Sequence, residues 1–237
     1  MIVETSRFAG FRPEALDFLV ELAQNNERAW FQPRKAEFER LLKEPMEALV
    51  GALSERLEAR GIPLRADPKR SIFRIYRDTR FAKDKSPYKT HLGANFPWID
   101  QGAAHDAVDD GAHANGGYFH VEPGNVYIGG GLWMASKPRL DAFRQAILDD
   151  PDRVRSALEE PGFVAAFGSV NSHESLKRNP PGWPVDHPMA DMFRWKDVVF
   201  GRQLDDSEIR SPSLPDILVG DFEAAMPVFR FLAGLRG

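Results

Sequence analysis

The first third of the chain carries apolar residues at helical spacing. Pro13 suits the first position of a helix, and the apolar residues after it recur three and four positions apart, at Ala15, Phe18, Leu19, Leu22 and Ala23. Acidic and amide residues occupy the positions between them, so one helix face is predicted to be buried and the other to face water. The pattern ends at Asn25 and Asn26, because asparagine tolerates turn geometry.

A second helical stripe follows and contains a proline. Its apolar positions are Phe38, Leu41, Leu42, Met46, Leu49, Val50, Leu53 and Leu57, and the stripe stops at Gly61. Pro45 lies inside it and cannot donate the backbone hydrogen bond of an unbroken helix. We therefore predict a kink at Pro45 or two abutting helices. The segment between the two stripes is interpreted as a turn anchored by the packing of Trp30 and Phe31.

From residue 71 onward the pattern changes to that of strands. Residues with strand propensity are concentrated in segments 71–76, 91–98, 117–122, 125–129 and 196–204. The third and fourth of these segments are joined by a Pro123-Gly124 turn. Residues 99–115 contain almost no large apolar side chains, so we predict that they form a mobile surface loop.

The last hundred residues return largely to helical spacing. One apolar stripe follows Ser136, a suitable helix cap, and another runs from Phe222 to Leu232. Helices at both ends of the chain and strands in the middle predict an α+β fold, with a central, largely antiparallel sheet and helices from both chain ends packed on it. No linker separates two cores, so we predict a single domain, 1–237, with a surface insertion at about 99–115.

Composition excludes several classes of protein. The chain has 237 residues, 43% hydrophobic and 28% charged, which is typical of a globular protein. Its net charge of −4 does not suggest a general nucleic-acid coat or a membrane-surface binder. Without cysteine there are no disulfides, thiolate metal ligands or thiol nucleophile. We find neither a signal-peptide core nor the apolar stretch of about 18 residues that a membrane helix needs, and we expect a cytoplasmic protein without a membrane partner.

The distribution of charge is uneven. Residues 70–89 hold seven basic and two acidic side chains, a net charge of +5, so the rest of the chain carries −9. We call residues 70–89 the basic segment. A local positive field attracts anions, and the planar guanidinium group of arginine matches phosphate and carboxylate oxygens in pairs. We therefore predict an anion-binding site formed by Arg74, Arg77, Arg80, Lys85, Tyr88, Lys89 and Trp133, with Tyr88 and Trp133 as aromatic walls.

The basic segment also has a structural interpretation. Arg74 stands between Ile72 and Tyr76 at strand spacing, so it could pair with a core carboxylate instead of a ligand. A run of charges can also be a solvated surface. Asp78 and Asp84 are then interpreted as partners that hold neighbouring arginines. An aspartate among basic residues has its charged form stabilised and is a poor general acid, although Asp78 remains a candidate for proton transfer.

A second candidate site lies in the predicted strand 117–122. Tyr118, His120 and Glu122 alternate along it and should project from one face. His120 and Glu122 could be a base with its orienting carboxylate, and we name both, with Asp78, as candidate catalytic residues. With His91 they could instead form a two-histidine, one-carboxylate metal site. A single His-x-Glu is common by chance, so a hydrogen-bonded histidine is favoured and no metal or other cofactor is predicted.

A run of three glycines, Gly129-Gly130-Gly131, precedes Trp133. The run lacks the Gly-Lys-Ser/Thr ending of a phosphate loop and does not match the spacing of a dinucleotide fingerprint. We interpret it as a strand end at which the backbone bends or approaches another group closely.

The motifs resemble those of one uncharacterised family. They are Asn25-Asn26-x-Arg28-x-Trp30-Phe31, Arg74-x-Tyr76-Arg77-Asp78-x-Arg80-Phe81-x-x-Asp84-Lys85-x-Pro87-Tyr88-Lys89, Gly117-Tyr118-Phe119-His120-Val121-Glu122 and Gly129-Gly130-Gly131-Leu132-Trp133. The family consists of bacterial and fungal conserved hypothetical proteins that share a domain of unknown function. The resemblance covers nearly the whole chain and implies a shared fold and a shared basic motif, but no reaction.

Three hypotheses about function follow. The first is a pocket that binds, or acts on, a small anionic metabolite or nucleotide, which we expect to be phosphorylated. The second is an interaction module whose basic segment contacts nucleic acid or an acidic protein, although the acidic charge of the whole chain and the absence of an RNA-binding or helix-turn-helix signature oppose nucleic acid. The third is that the arginines of the motif are internal ion pairs. Oligomeric state is not predicted.

Overall fold

The N-terminal helices agree with the hydrophobic pattern. In the computed structural model, which describes residues 7–80, 83–99 and 115–235, α1 spans Pro13–Gln24, α2 spans Arg28–Phe38 and α3 spans Glu44–Ala59. A π-helical turn, Glu39–Lys43, joins α2 to α3. It lies directly before Pro45, which has no amide hydrogen for the α-helical ladder. The prediction of an interruption at this proline is confirmed.

The predicted turn between the first two helices is too long. Only residues 25–27 are outside a helix, and Arg28, Trp30 and Phe31 lie in the first turns of α2. The aromatic packing explains the difference. Phe31 is buried, and the Trp30 ring lies 5.5 Å from that of Phe18 on α1, so the aromatic residues hold α2 against α1.

A four-stranded sheet forms the middle of the molecule. The strands are β1 (Leu92–Pro97), β2 (Asn115–Val121), β3 (Tyr127–Leu132) and β4 (Val198–Gln203). They are arranged in the order β1-β2-β3-β4, and each neighbouring pair is antiparallel. With helices on both sides of these strands in the sequence, the fold is α+β, as predicted. Residues 100–114, which make up nearly all of the predicted insertion, lie outside the described residues, as does Phe81.

Residues 71–76 were predicted to be a strand, and this prediction is wrong. Ile72 makes an isolated bridge with Ala94 of β1, and Tyr76 makes another with Tyr88. The chain therefore leaves the edge of β1 after a few residues and folds back on its own basic segment. In this second pairing, the carbonyl oxygen of Pro87 accepts a hydrogen bond from the amide of residue 77. Pro87 has no N–H with which to donate one in return, so the ladder does not continue.

The C-terminal half supplies the remaining helices. They are α4 (Lys137–Asp149), α5 (Pro151–Leu158), α6 (Pro161–Phe167), α7 (Asp206–Arg210), α8 (Leu214–Ala224) and α9 (Met226–Ala233), with a 3₁₀ turn at Ala190–Arg194. The described helices include none that is both long enough and apolar enough to span a membrane.

Helices α8 and α9 cover one face of the sheet. Phe222 of α8 and Phe229 of α9 are fully buried, and their rings lie 6.4 Å apart. Helix α3 packs on α8, where Arg56 pairs with Asp216 at 2.7 Å. Helices from both ends of the chain thus meet on the same side of the sheet, and one connected hydrophobic cluster extends from residue 8 to residue 235.

Candidate functional site

The two faces of the sheet differ in what covers them. On β2, Phe119 is fully buried, and a Cβ atom added at Gly117 would lie 2.4 Å from the Phe222 ring. This face is therefore packed against helices. Side chains alternate along a strand, so the opposite face carries Tyr118, His120 and Glu122. The prediction that these three side chains share one face is confirmed.

A cavity of about 570 Å³ lies over this second face. Small-molecule sites are usually roughly 300–1,000 Å³. Two aromatic pairs line the cavity. The rings of Phe73 and Tyr118 are 6.2 Å apart, and those of Trp133 and His173 are 5.2 Å apart. The other polar residues of the lining are Asn95, Asn125, Tyr127, Asn171, Arg202 and Gln203.

Glycines give the cavity a floor of bare backbone. The glycines among its lining residues are Gly116, Gly129, Gly130, Gly131 and Gly201. A Cβ atom at Gly129 would lie 2.3 Å from the carbonyl oxygen of Phe200. At Gly131, whose φ is +114°, it would lie 2.2 Å from the carbonyl oxygen of Val198. Strand packing therefore requires glycine at both positions, which agrees with the interpretation of close backbone approach.

Polar side chains on the cavity side of β2 form a hydrogen-bonded row. The Tyr118 hydroxyl lies 2.9 Å from Nδ1 of His120, and Nε2 of His120 lies 3.3 Å from Oε2 of Glu122. Asn125 donates to the same oxygen at 3.3 Å, and Thr90 donates to Oε1 at 3.3 Å. The carboxylate of Glu122 is thus oriented by side chains from three parts of the chain.

His91 joins this row from the residue before β1. Its ring centroid lies 4.6 Å from that of His120. One potential ligand atom from each of His91, His120 and Glu122 lies within 4.8 Å of the other two. On the other side, Tyr127 stacks on His120 with centroids 4.8 Å apart, because the β2–β3 register places these residues opposite each other. We call His91, His120 and Glu122 the histidine–glutamate cluster.

Burial and hydrogen bonding set the charges in the cluster. Burial, followed by the nearby His120, lowers the pKa of His91 to about 4. Burial also lowers the pKa of His120, more than its contact with Glu122 raises it. For Glu122, burial acts to raise the pKa, but hydrogen bonds from Asn125 and His120 outweigh it and the pKa is lowered. At neutral pH the two imidazoles are neutral and the carboxylate is ionised.

Part of the basic segment is engaged with its own acidic residues. Arg77 pairs with Asp84, and Arg80 pairs with Asp78 at 2.7 Å. Lys85 donates to a backbone carbonyl of the same segment at 2.9 Å. These groups lie at the surface, where the side chain of Arg80 is 77% exposed, so the pairs contribute little to stability. In this arrangement the three basic residues bind their own chain.

The environment of Asp78 does not suit a general acid. Hydrogen bonds from the side chain and backbone of Arg80 lower the pKa of Asp78 to about 2. The carboxylate is therefore ionised at neutral pH and has no proton to donate. This agrees with the interpretation of the residue as a partner for arginine.

Arg74 and Lys89 are not paired with acidic residues as Arg77 and Arg80 are. Among the residues that the structure describes, neither side chain forms an ion pair with a carboxylate. The ammonium group of Lys89 lies 5.0 Å from the centre of the Phe73 ring, which lines the cavity. Burial lowers the pKa of Lys89, and the positive charge of Arg74 lowers it further. Lys89 thus stands beside an aromatic residue of the cavity lining, and the charge of Arg74 lies close enough to lower the pKa of Lys89.

The two predicted aromatic walls are placed differently. Tyr88 is only 1% exposed and stacks on Phe31 with centroids 4.1 Å apart, so its ring belongs to the core and not to a ligand-binding surface. From the sequence alone, an aromatic residue within a basic motif could lie in the core or line a ligand site. The packing of Tyr88 against Phe31 of α2 determines that it lies in the core. Trp133 is 43% exposed and lines the cavity, as expected of a wall.

Sequence reasoning missed several residues of the cavity. Phe73 was assigned to a strand without a role, and Tyr127 was not considered. Pairing the two predicted strands across the Pro123-Gly124 turn would have placed Tyr127 opposite His120. His173 could not have been found in this way, because it lies far from Trp133 in the sequence and outside any periodic element.

The fold and the site define an α+β protein with a ligand-sized cavity on the open face of an antiparallel sheet. Residues 14–231 match the model of a family described as conserved hypothetical protein (DUF2461), and the chain belongs to that family. The match includes the basic segment and the histidine–glutamate cluster, and it confirms the family that the motifs indicated. No curated protein and no solved structure shows significant similarity to the chain.

Proposed function

We propose that this protein binds a small anionic ligand, with a phosphate or carboxylate group, in the cavity over the open face of the sheet. Lys89 and Arg74 hold the anionic group. The aromatic residues Phe73, Tyr118 and Trp133 contact the planar or apolar part of the ligand. The proposal keeps the basic motif as the source of the site but assigns binding to Arg74 and Lys89 within it.

The observation that carries the proposal is a half-buried lysine, Lys89, beside the cavity-lining Phe73, with the charge of Arg74 close enough to lower its pKa. Two neighbouring cations repel each other, and Lys89 is also half-buried, which disfavours its charged form. Within the described chain, no carboxylate offsets this cost by pairing with Arg74 or Lys89. An anion between the two groups would remove the repulsion and accept charge-assisted hydrogen bonds from both.

The cavity favours a small ligand over a polymer. Its aromatic pairs, Phe73 with Tyr118 and Trp133 with His173, line a concave space of about 570 Å³. Aromatic faces separated by a backbone floor suit a planar group such as a heterocycle. A nucleic acid or an acidic protein would instead use an extended cationic surface, and there Arg77 and Arg80 are already paired with carboxylates.

Thermal unfolding tests the proposal with a panel of inorganic phosphate, pyrophosphate, nucleoside monophosphates and aromatic carboxylates. A ligand present at 100 times its dissociation constant stabilises the folded protein by about 2.7 kcal/mol, which raises the melting temperature measurably. For an active compound, Lys89→Gln and Arg74→Gln should each weaken binding at least tenfold. Arg80→Gln removes the same charge from the same segment and should leave affinity unchanged.

Fluorescence locates the bound compound. Binding should change the emission of the wild-type protein, and most of this change should disappear in Trp133→Phe. The proposal fails if no compound in the panel stabilises the protein. It also fails if Arg80→Gln weakens binding as much as Lys89→Gln does, because the anion would then lie on the surface of the basic segment.

A further inference from the structure

We propose that His91, His120 and Glu122 form a site for one divalent transition-metal ion at the end of the cavity. Two imidazole nitrogens and one carboxylate oxygen suit zinc and ferrous, cobaltous or nickel ions, whereas magnesium and calcium prefer sites made of oxygen alone. The inference is independent of the proposed anion ligand, since it concerns different side chains and is tested with metal alone.

The distances between potential ligand atoms in the cluster are close to those found around a bound metal ion. Two atoms that are each about 2.1 Å from one tetrahedral or octahedral ion lie roughly 3.0–3.4 Å apart. Nε2 of His120 and Oε2 of Glu122 are separated by 3.3 Å, within that range. His91 offers a nitrogen that lies within 4.8 Å of one potential ligand atom on each of His120 and Glu122. A small side-chain rotation of this partly exposed residue would bring it into range.

The hydroxyl of Tyr118 allows His120 to change its hydrogen-bonding state when metal binds. Without metal, Nε2–H of His120 donates to Glu122, and Nδ1 accepts from the hydroxyl of Tyr118, 2.9 Å away. With metal, Nε2 supplies its lone pair to the ion and the proton resides on Nδ1. A hydroxyl group can either donate or accept, so Tyr118 satisfies both states without moving.

The surroundings of Glu122 resemble the outer shell that holds metal ligands in place. Thr90 donates to one carboxylate oxygen and Asn125 to the other, each at 3.3 Å. Hydrogen bonds of this kind orient a ligand and reduce the entropy lost on binding an ion. Thr90 lies before β1 and Asn125 lies before β3, so both oxygens of the Glu122 carboxylate are held by side chains from neighbouring parts of the chain.

The position of the cluster leaves room for an exogenous ligand. Tyr118, Asn125 and Tyr127 contact members of the cluster and also line the cavity. A metal held by three protein atoms keeps at least one coordination position open. The cluster adjoins the cavity through these three residues, so an ion held here would be close to a small molecule bound there.

The test uses the 237-residue protein, freed of metal by chelator dialysis and then titrated with zinc or cobaltous chloride. We expect one equivalent to bind, with visible d–d absorption bands for cobalt that report nitrogen and oxygen ligands. Glu122→Gln and His91→Ala should each weaken zinc binding at least tenfold. His173→Ala removes an imidazole outside the cluster and should bind zinc like the wild type. Magnesium chloride should neither compete nor raise the melting temperature.

Folding must be checked separately, because His120 and Glu122 contact buried side chains. Thermal unfolding of the metal-free variants shows whether they fold. Zinc should stabilise the wild type and His173→Ala, and it should stabilise Glu122→Gln and His91→Ala less. The inference is overturned if the wild type binds no zinc or cobalt. It is equally overturned if folded Glu122→Gln and His91→Ala bind as tightly as the wild type, since the metal would then sit elsewhere.

Discussion

The side-chain amide of Asn26 pairs with both backbone groups of Tyr88. Nδ2 of Asn26 donates to the carbonyl oxygen of Tyr88 at 3.0 Å, and the amide of Tyr88 donates to Oδ1 of Asn26 at 3.0 Å. Asn26 therefore acts as a substitute for a neighbouring strand. It joins the segment between α1 and α2 to the end of the basic segment, directly beside Lys89. Two separate sequence motifs of the family thus meet in one contact.

Replacing Asn26 by aspartate should destabilise the protein by about 2 kcal/mol. The carboxylate keeps the acceptor for the amide of Tyr88, but it cannot donate to the carbonyl of Tyr88 and is repelled by it. Urea unfolding would measure the free energy. Hydrogen exchange at the amides of Tyr88 and Lys89 would show whether this part of the chain opens more often.

Asn25 provides a matched control for this change. Its amide donates to the carbonyl of Glu21 at 2.9 Å, but this contact is exposed to solvent. Asn25→Asp should therefore change the free energy of unfolding by about 0.5 kcal/mol or less. If both variants lost the same free energy of unfolding, the pairing of Asn26 with Tyr88 would not be the source of its stabilising effect.

A second prediction contrasts two arginines. Arg202 of β4 makes a bidentate contact with Asp221 of α8, at 2.9 and 2.8 Å, and a further contact with Glu208 at 2.9 Å. Asp221 is 9% exposed. Arg202→Met leaves this carboxylate buried without a cation, so we expect a loss of about 3 kcal/mol in urea unfolding. Arg80→Met breaks an exposed pair and should cost less than about 1 kcal/mol.

The loss in Arg202→Met should also depend on pH. Burial raises the pKa of Asp221, and Arg202 opposes that increase. Removing Arg202 raises the folded-state pKa further, so the folded variant binds a proton more readily than its unfolded chain. Stability of the variant then falls as pH rises between the two pKa values, and the gap to wild type narrows on acidification. A gap that is constant from neutral pH to about pH 4 would contradict this account.

Local periodicity explains which parts of the fold the sequence predicts. The alternation of Tyr118, His120 and Glu122 follows from strand geometry alone, and the spacing of Phe18 and Leu22 follows from helix geometry. Both were therefore predictable. The strand predicted at residues 71–76 was wrong because strand propensity does not reveal whether a ladder continues. Only isolated bridges form there, and Pro87 lacks the N–H that would extend the second bridge towards residue 77.

Contacts across long sequence distances could not be predicted. Whether Tyr88 lines a site or enters the core depends on Phe31, which belongs to another helix. Whether an arginine in the basic segment meets a ligand or a carboxylate depends on the path of the loop, which brings Asp84 to Arg77. The charge imbalance directed attention to residues 70–89, but which of their cations pair with a carboxylate could be distinguished only in three dimensions.

The last prediction concerns the ionisation of Lys89. Burial is the larger cause of its lowered pKa, and the charge of Arg74 is the second. Arg74→Gln should therefore raise the pKa of Lys89 without restoring the value of an exposed lysine. Nuclear magnetic resonance titration of the lysine Nζ and Cε nuclei would measure this directly. A bound anion from the ligand panel should raise the pKa of Lys89 in the wild type, because it stabilises the ammonium form.

The lowered pKa of Lys89 also makes the stability of the protein depend on pH in a defined direction. A lysine whose pKa is lower in the folded state binds fewer protons when folded, so its contribution to stability becomes more favourable as pH rises from the folded towards the unfolded pKa. Arg74→Gln should reduce this slope in urea unfolding measured at alkaline pH. Arg80→Gln serves as the control, since Arg80 is paired with Asp78 and should leave the Lys89 titration unchanged. If Arg74→Gln and Arg80→Gln shift the pKa of Lys89 equally, Arg74 is not its specific neighbour, and the assignment of these two cations to one anion loses its basis.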